Sequence, residues 1–128
     1  GRDVPLSEPT AAVNPNAAKI YGAVCVFVND SGLATATLSI ASSKFRWIDV
    51  LIKTPGGQSA VVRVAVGTTG HYVISQSGAT TYVYFGQINV SGTVVSLPSQ
   101  LRMPVSAWQF GSGSNVNDCR ITKVWGWR

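Results

Sequence analysis

Phe45-Arg46-Trp47-Ile48-Asp49-Val50-Leu51-Ile52-Lys53 is the stretch whose reading decides the fold of this chain. At the two-residue period of a strand, Arg46, Ile48, Val50 and Ile52 share one face, while Phe45, Trp47, Asp49, Leu51 and Lys53 share the other. A strand half-covered by water carries polar residues along one whole side; here both sides are mostly apolar. The pattern predicts a central strand with a core beneath it and a second cover above. That cover is either another layer of the same chain or a neighbouring subunit. Pro55-Gly56-Gly57 closes the strand as a turn. Residues 59–66 then form a second strand, with Ala60, Val62, Val64 and Val66 on one side and Val61, Arg63 and Ala65 on the other.

Working outward, residues 20–28 read as a first strand that is again apolar on both faces, and Asn29-Asp30-Ser31-Gly32 as a turn. Residues 33–40 form a lighter strand. Residues 71–76 and 80–90 are strands on either side of Ser77-Gly78-Ala79, and Gly86 inside the second predicts a bulge or a close approach. Ser91-Gly92 joins that strand to residues 93–97 as a hairpin. Residues 98–110 are the least regular, and Pro104 argues against a central strand there. Residues 111–118, rich in Gly, Ser and Asn, read as a loop, and residues 119–127 as a closing strand. No segment holds apolar residues at helical spacing for long enough. About eight short strands separated by turns predict an all-β domain, an antiparallel, jelly-roll-like β-sandwich over residues 19–128. Residues 1–18, with Pro5, Pro9 and Pro15, read as an extended lead-in or linker.

The 128 residues fit one domain, and charged residues are only 12% of them, about half the usual share. So little charge suggests that the domain hides surface in an oligomer. No apolar run reaches the length of a membrane span, and residues 1–20 lack the order of a signal peptide. The net charge of +5 comes from basic residues scattered singly, without the clustering a nucleic-acid face needs. Cys25 and Cys119 fit no metal-ligand spacing. They read as two small buried side chains, or as a pair if the first and last strands are neighbours.

Catalytic chemistry finds little to work with. His71 is the one histidine and follows Gly70 at a turn, and no Gly-x-Ser-x-Gly elbow is present. Asp49 lies in the strongest strand, where Arg46 and Lys53 could pair with it across strands; Asp30 and Asp118 lie in or near turns. A two-carboxylate glycosidase would need two of them to meet. Nothing calls for a metal or another cofactor. Aromatic residues are the remaining signal, because sugar recognition lays a ring face against the pyranose C–H surface and adds short polar side chains. Tyr82, Tyr84 and Trp108 are the candidate stacking residues, with Gln87, Asn115 and Asn117 (and less centrally Gln76) as hydrogen-bonding partners. The ordinary alternative is that these rings, like Trp47, Trp125 and Trp127, fill a core or a subunit interface.

Two segments carry a resemblance. Ala36-Thr37-Leu38-Ser39-Ile40-Ala41-Ser42-Ser43-Lys44-Phe45-Arg46-Trp47-Ile48-Asp49-Val50 resembles a strand, small-residue turn and Phe-x-aromatic-Ile-x-Val strand found in the distal domains of bacteriophage tail fibres and tailspikes. The ending Cys119-Arg120-Ile121-Thr122-Lys123-Val124-Trp125-Gly126-Trp127-Arg128 is similar to the Ile-Thr-basic-aliphatic-x-Gly-aromatic close of many such proteins. The likeness covers roughly residues 33–66 and the last ten; residues 68–118 take no part in it. It departs from the pattern in the proline-rich lead-in and in having Trp at both aromatic end positions. The resemblance implies a homotrimeric, non-enzymatic tip domain in the virion tail that binds a bacterial surface polysaccharide or lipopolysaccharide. A purely structural trimerisation module is the alternative, and a polysaccharide-cleaving tailspike domain a third.

Overall fold

A computed structural model describes residues 22–128. The expected lead-in at residues 1–18 and the first residues of the first expected strand lie outside the described residues. Eleven strand segments follow one another: β1 Ala23–Leu33, β2 Thr35–Thr37, β3 Trp47–Lys53, β4 Ser59–Ala65, β5 Gly70–Gln76, β6 Thr81–Ser91, β7 Val94–Ser96, β8 Gln100–Ser106, β9 Gln109–Phe110, β10 Ser114–Asn115 and β11 Arg120–Trp127. All the pairings are antiparallel. One sheet runs β1-β11-β3-β4; the other runs β10-β8-β6-β7-β2, with β5 on β6 and β9 on β8. The two pack face to face as the expected sandwich.

β3 is the interior strand the sequence promised. Ile48, Val50 and Ile52 are fully buried on its inner face, in one core with Val26, Ile121 and Val124 of the same sheet and Ile74, Ile88 and Val95 of the opposite sheet. Burying each such side chain contributes about 2 kcal/mol. The outer residues Trp47, Asp49, Leu51 and Lys53 are only half-covered. Phe45 leaves this alternation, because it precedes the strand and turns into the core beside Gly126.

Several local expectations change. Asn29-Asp30-Ser31-Gly32 is not the end of a strand but an irregularity within β1, which regains its pairing with β11 at Leu33. The Gly32 amide donates to Asn29 Oδ1 at 2.9 Å and steadies the excursion. The irregular region around Pro104 is a true strand, β8, paired with β6 along Thr81↔Val105 to Gly86↔Gln100. Pro104 is tolerated there because its carbonyl accepts the Gly111 amide at 2.7 Å. Nitrogen and carbonyl of one strand residue point the same way, so the missing N–H faces residue 111 and the β6 ladder is intact. On that far side the neighbours are only the two-residue strands β9 and β10.

Gly86 marks a close approach rather than a bulge. It pairs in regular register with Tyr72, and a Cβ there would lie 2.5 Å from the Tyr72 ring and hydroxyl. Tyr72 is buried, its hydroxyl has no well-formed hydrogen bond among the described residues, and the Cys119 thiol beside it is a weak partner. Burial pushes both the phenol and the thiol upward from their ordinary ionisation ranges. Tyr72→Phe is therefore expected to leave stability unchanged or raise it by about 1 kcal/mol, since it removes a desolvated group with no more than a weak thiol contact. Chemical denaturation would check this; a loss larger than that would mean that the hydroxyl is bonded in solution.

The cysteines divide. Cys119 is buried, but Cys25 is exposed and sits opposite Trp125, so both are free thiols. The first and last strands are neighbours, yet Cys25 pairs with Trp125, six residues along the chain from Cys119.

Candidate functional site

The least conventional backbone in the described chain lies at the tip of the β8–β9 hairpin. Ser106 pairs with Gln109, leaving Ala107 and Trp108 as a two-residue loop with φ of 52° and 62°. Two successive positive φ angles define the primed turns that suit hairpin twist, and these turns favour Asn or Gly. Side chains with a Cβ pay about 1 kcal/mol or more apiece in this region. Trp108 takes that conformation while its side chain is 99% exposed. Phe110, the next residue but one, is 68% exposed. Nothing in packing rewards this arrangement, so the strain points toward a surface use.

The pairing of β5, β6 and β8 places hydroxyls opposite this hairpin. Ser75 lies across from Val83, and Thr81 across from Val105, which in turn pairs with Phe110. Together with Ser77 they line an open groove of about 550 Å³ whose other wall is Trp108 and Phe110. Further along the same outward face, Phe85, Gln87, Ser99, Leu101 and Asn115 surround a second hollow of about 220 Å³. The Phe85 ring stacks on His71, 5.8 Å between centroids and 20° between planes.

The expected site residues do not converge on one spot. Trp108 is presented as a stacking residue should be. Gln87 and Asn115 do share a hollow. Tyr84, however, is 2% exposed, facing the core on the opposite side of β6, so it offers no ring to a ligand. Tyr82 points the same inward way at the open end of the sandwich, under the Arg102 guanidinium at 4.5 Å. Period-two alternation sets both tyrosines on the face opposite Val83 and Phe85. Asn117 braces a loop: its carbonyl accepts from Arg120 at 2.8 Å and its side chain faces Gln100 at 3.4 Å. Gln76 accepts the Gly56 amide at 2.8 Å and anchors the β3–β4 turn. Ser75, Ser77, Thr81 and Phe110 escape a reading of the sequence because strand pairing alone brings them together. The hydroxyl-rich run through residues 75–81 is the one signal that could have found them.

A second cluster lies on the outer face of the four-stranded sheet. The Arg63 guanidinium binds Asp49 through two contacts, 2.9 and 3.1 Å, and lies 4.9 Å from the Trp47 ring and 5.3 Å from the Trp127 ring. Trp127 Nε1 also donates to Asp49 Oδ2 at 2.8 Å. The partner of Asp49 is thus Arg63 from β4, opposite it in register, rather than Arg46 or Lys53. Hydrogen bonding from Arg63 holds the Asp49 carboxyl below its ordinary value of 3.8, against a smaller upward push from burial. A lowered folded-state value means that this contribution is complete above the unfolded carboxyl pKa and is lost as pH falls through the folded one. Stability should therefore decline more steeply in the wild type than in Asp49→Asn as pH drops from about 5 to about 2. Urea midpoints at each pH would measure the difference, and parallel curves would mean that the pair is silent. Arg63 is half in water, so the effect is modest.

Among the described residues no group of three or more His, Cys, Asp or Glu side chains could hold a metal ion. Nor is any helix among them long and apolar enough to cross a membrane. No protein-family model matches the chain, and no curated protein matches it.

Proposed function

We propose that this domain is a non-enzymatic glycan-binding module of the kind carried at the distal end of phage tail fibres and tailspikes, acting as a homotrimer on a bacterial surface polysaccharide. The observation that carries the reading is Trp108, fully exposed on a strained two-residue turn at the lip of a groove lined by Ser75, Ser77 and Thr81 beside Val83 and Val105. An aromatic platform beside short neutral donors and acceptors is what a pyranose ring requires. Weak individual sites fit a trimer, where avidity multiplies them. The place of such a protein would be the virion tail.

The outer face of the four-stranded sheet supports the trimer. Val28 and Val61 are 58% and 57% exposed there, beside the half-covered Trp47, Trp125, Trp127 and Leu51. Asp49 and Arg63 already pair within the face, and Lys53 and Lys123, which share it, carry their charge at the end of long stems that can reach water past a sister copy. Val61→Asp is expected to dissociate the assembly while leaving the fold intact. Sedimentation would read this, and a wild-type monomer at micromolar concentration would remove the trimer from the proposal.

Glycan binding is tested by titrating bacterial polysaccharide fragments and following intrinsic tryptophan fluorescence, since a sugar covering Trp108 takes it out of water. Silence across a broad panel, with trimers still present, would favour a purely structural trimerisation module. Release of reducing ends from any fragment would show an enzyme instead.

A further inference from the structure

Resting on that glycan reading, we infer that the site is a linear, charge-free track for several consecutive uncharged sugar units rather than a pocket for one sugar. Two aromatic platforms stand on the same outward face. Trp108 and Phe110 lie level with Thr81, and Phe85 with its stacked His71 lies four residues further along β6. At strand rise that is about 13 Å, longer than a single pyranose ring. Each platform has its own hollow and its own polar set, hydroxyls at the first and the Gln87 and Asn115 amides at the second. The floor between them is apolar and continuous, formed where Val83 and Phe85 pair with Met103 and Leu101.

Charge defines the ligand class. The outward residues of β5, β6 and β8 include no Asp, Glu, Lys or Arg, and neither hollow is lined by one. Arg102, the one basic residue of β8, has the inward parity and is taken up by Tyr82. In a chain with net charge +5, a site for uronate or phosphate-bearing glycans would draw on that surplus. This face among the described residues leaves it elsewhere. Hydroxyls, amides and ring faces recognise neutral hexose chains.

The experiment is a length series, from monosaccharide to hexasaccharide, of neutral gluco- and manno-oligosaccharides, with an oligogalacturonate series as the anionic counterpart. Affinity for a neutral series should rise with length until both platforms are spanned, then level off. It should stay constant between about 20 mM and about 500 mM salt. Gln87→Ala with Asn115→Ala should weaken the longer neutral chains about tenfold and leave the shortest binders unchanged. A monosaccharide that binds as well as the hexasaccharide overturns the track but not glycan binding. A preference for oligogalacturonate, or a steep salt dependence, overturns its neutral character. No binding by any series overturns the track together with the glycan reading on which it rests.

Discussion

Gly86→Ala is expected to lower the stability of the domain by about 2–3 kcal/mol, at the upper end of what overpacking costs. The added methyl would sit 2.5 Å from ring atoms of Tyr72. That ring cannot swing away, because it is buried between the sheets among Ile74, Tyr84 and Ile88. The backbone also has no freedom to yield, since Gly86 is paired on both sides, with Tyr72 of β5 and Gln100 of β8. For a domain of about 100 residues the loss corresponds to a fall in Tm of roughly 10–20 °C. The cause is steric, so it should be relieved by shortening the neighbour. Tyr72→Leu removes the atoms that clash, and the double variant should be less destabilised than the two single losses added together. Strict additivity would show that Gly86 matters through its backbone alone. Gly126, whose Cβ would meet the Phe45 ring, should behave in the same way.

Trp108→Gly is expected to move stability and binding in opposite directions. Glycine adopts φ near 62° without penalty, and a side chain that is 99% exposed contributes no packing to lose. The relieved strain, less the extra freedom glycine gives the unfolded chain, should leave a gain of about 0.5–1 kcal/mol. Glycan affinity should fall at least about thirtyfold, as when a central aromatic of an interface is truncated. Trp108→Phe, which keeps a ring, should retain part of the affinity. Denaturation midpoints and a titration on the same samples decide the matter. Unchanged binding in the glycine variant would mean that Trp108 is decoration on the turn and that the groove works without it.

Much of the fold is legible along the chain. Alternation in β3 and β4 sets strand, face and turn without help from any other segment, and the Gly92-Thr93 loop joins the β6–β7 hairpin near the position its residues suggest. The misreadings share a cause. Pro104 lacks an N–H, but whether that loss matters depends on which neighbour the nitrogen faces. Tyr82 and Tyr84 share a strand face as expected, yet only the opposite sheet decides that this face looks inward.

What the chain settles unaided is periodic: an all-β architecture, a buried inner row of Ile48, Val50 and Ile52, and the positions of most turns, because pleating at two residues per repeat is a local property. What the tertiary structure decides is juxtaposition. It brings Ser75 and Thr81 to the foot of the β8–β9 hairpin, bends Ala107 and Trp108 into positive φ, and sends Tyr84 into the core. Those outcomes depend on register between strands distant in sequence, and register is fixed by the packing of whole sheets rather than by any one stretch.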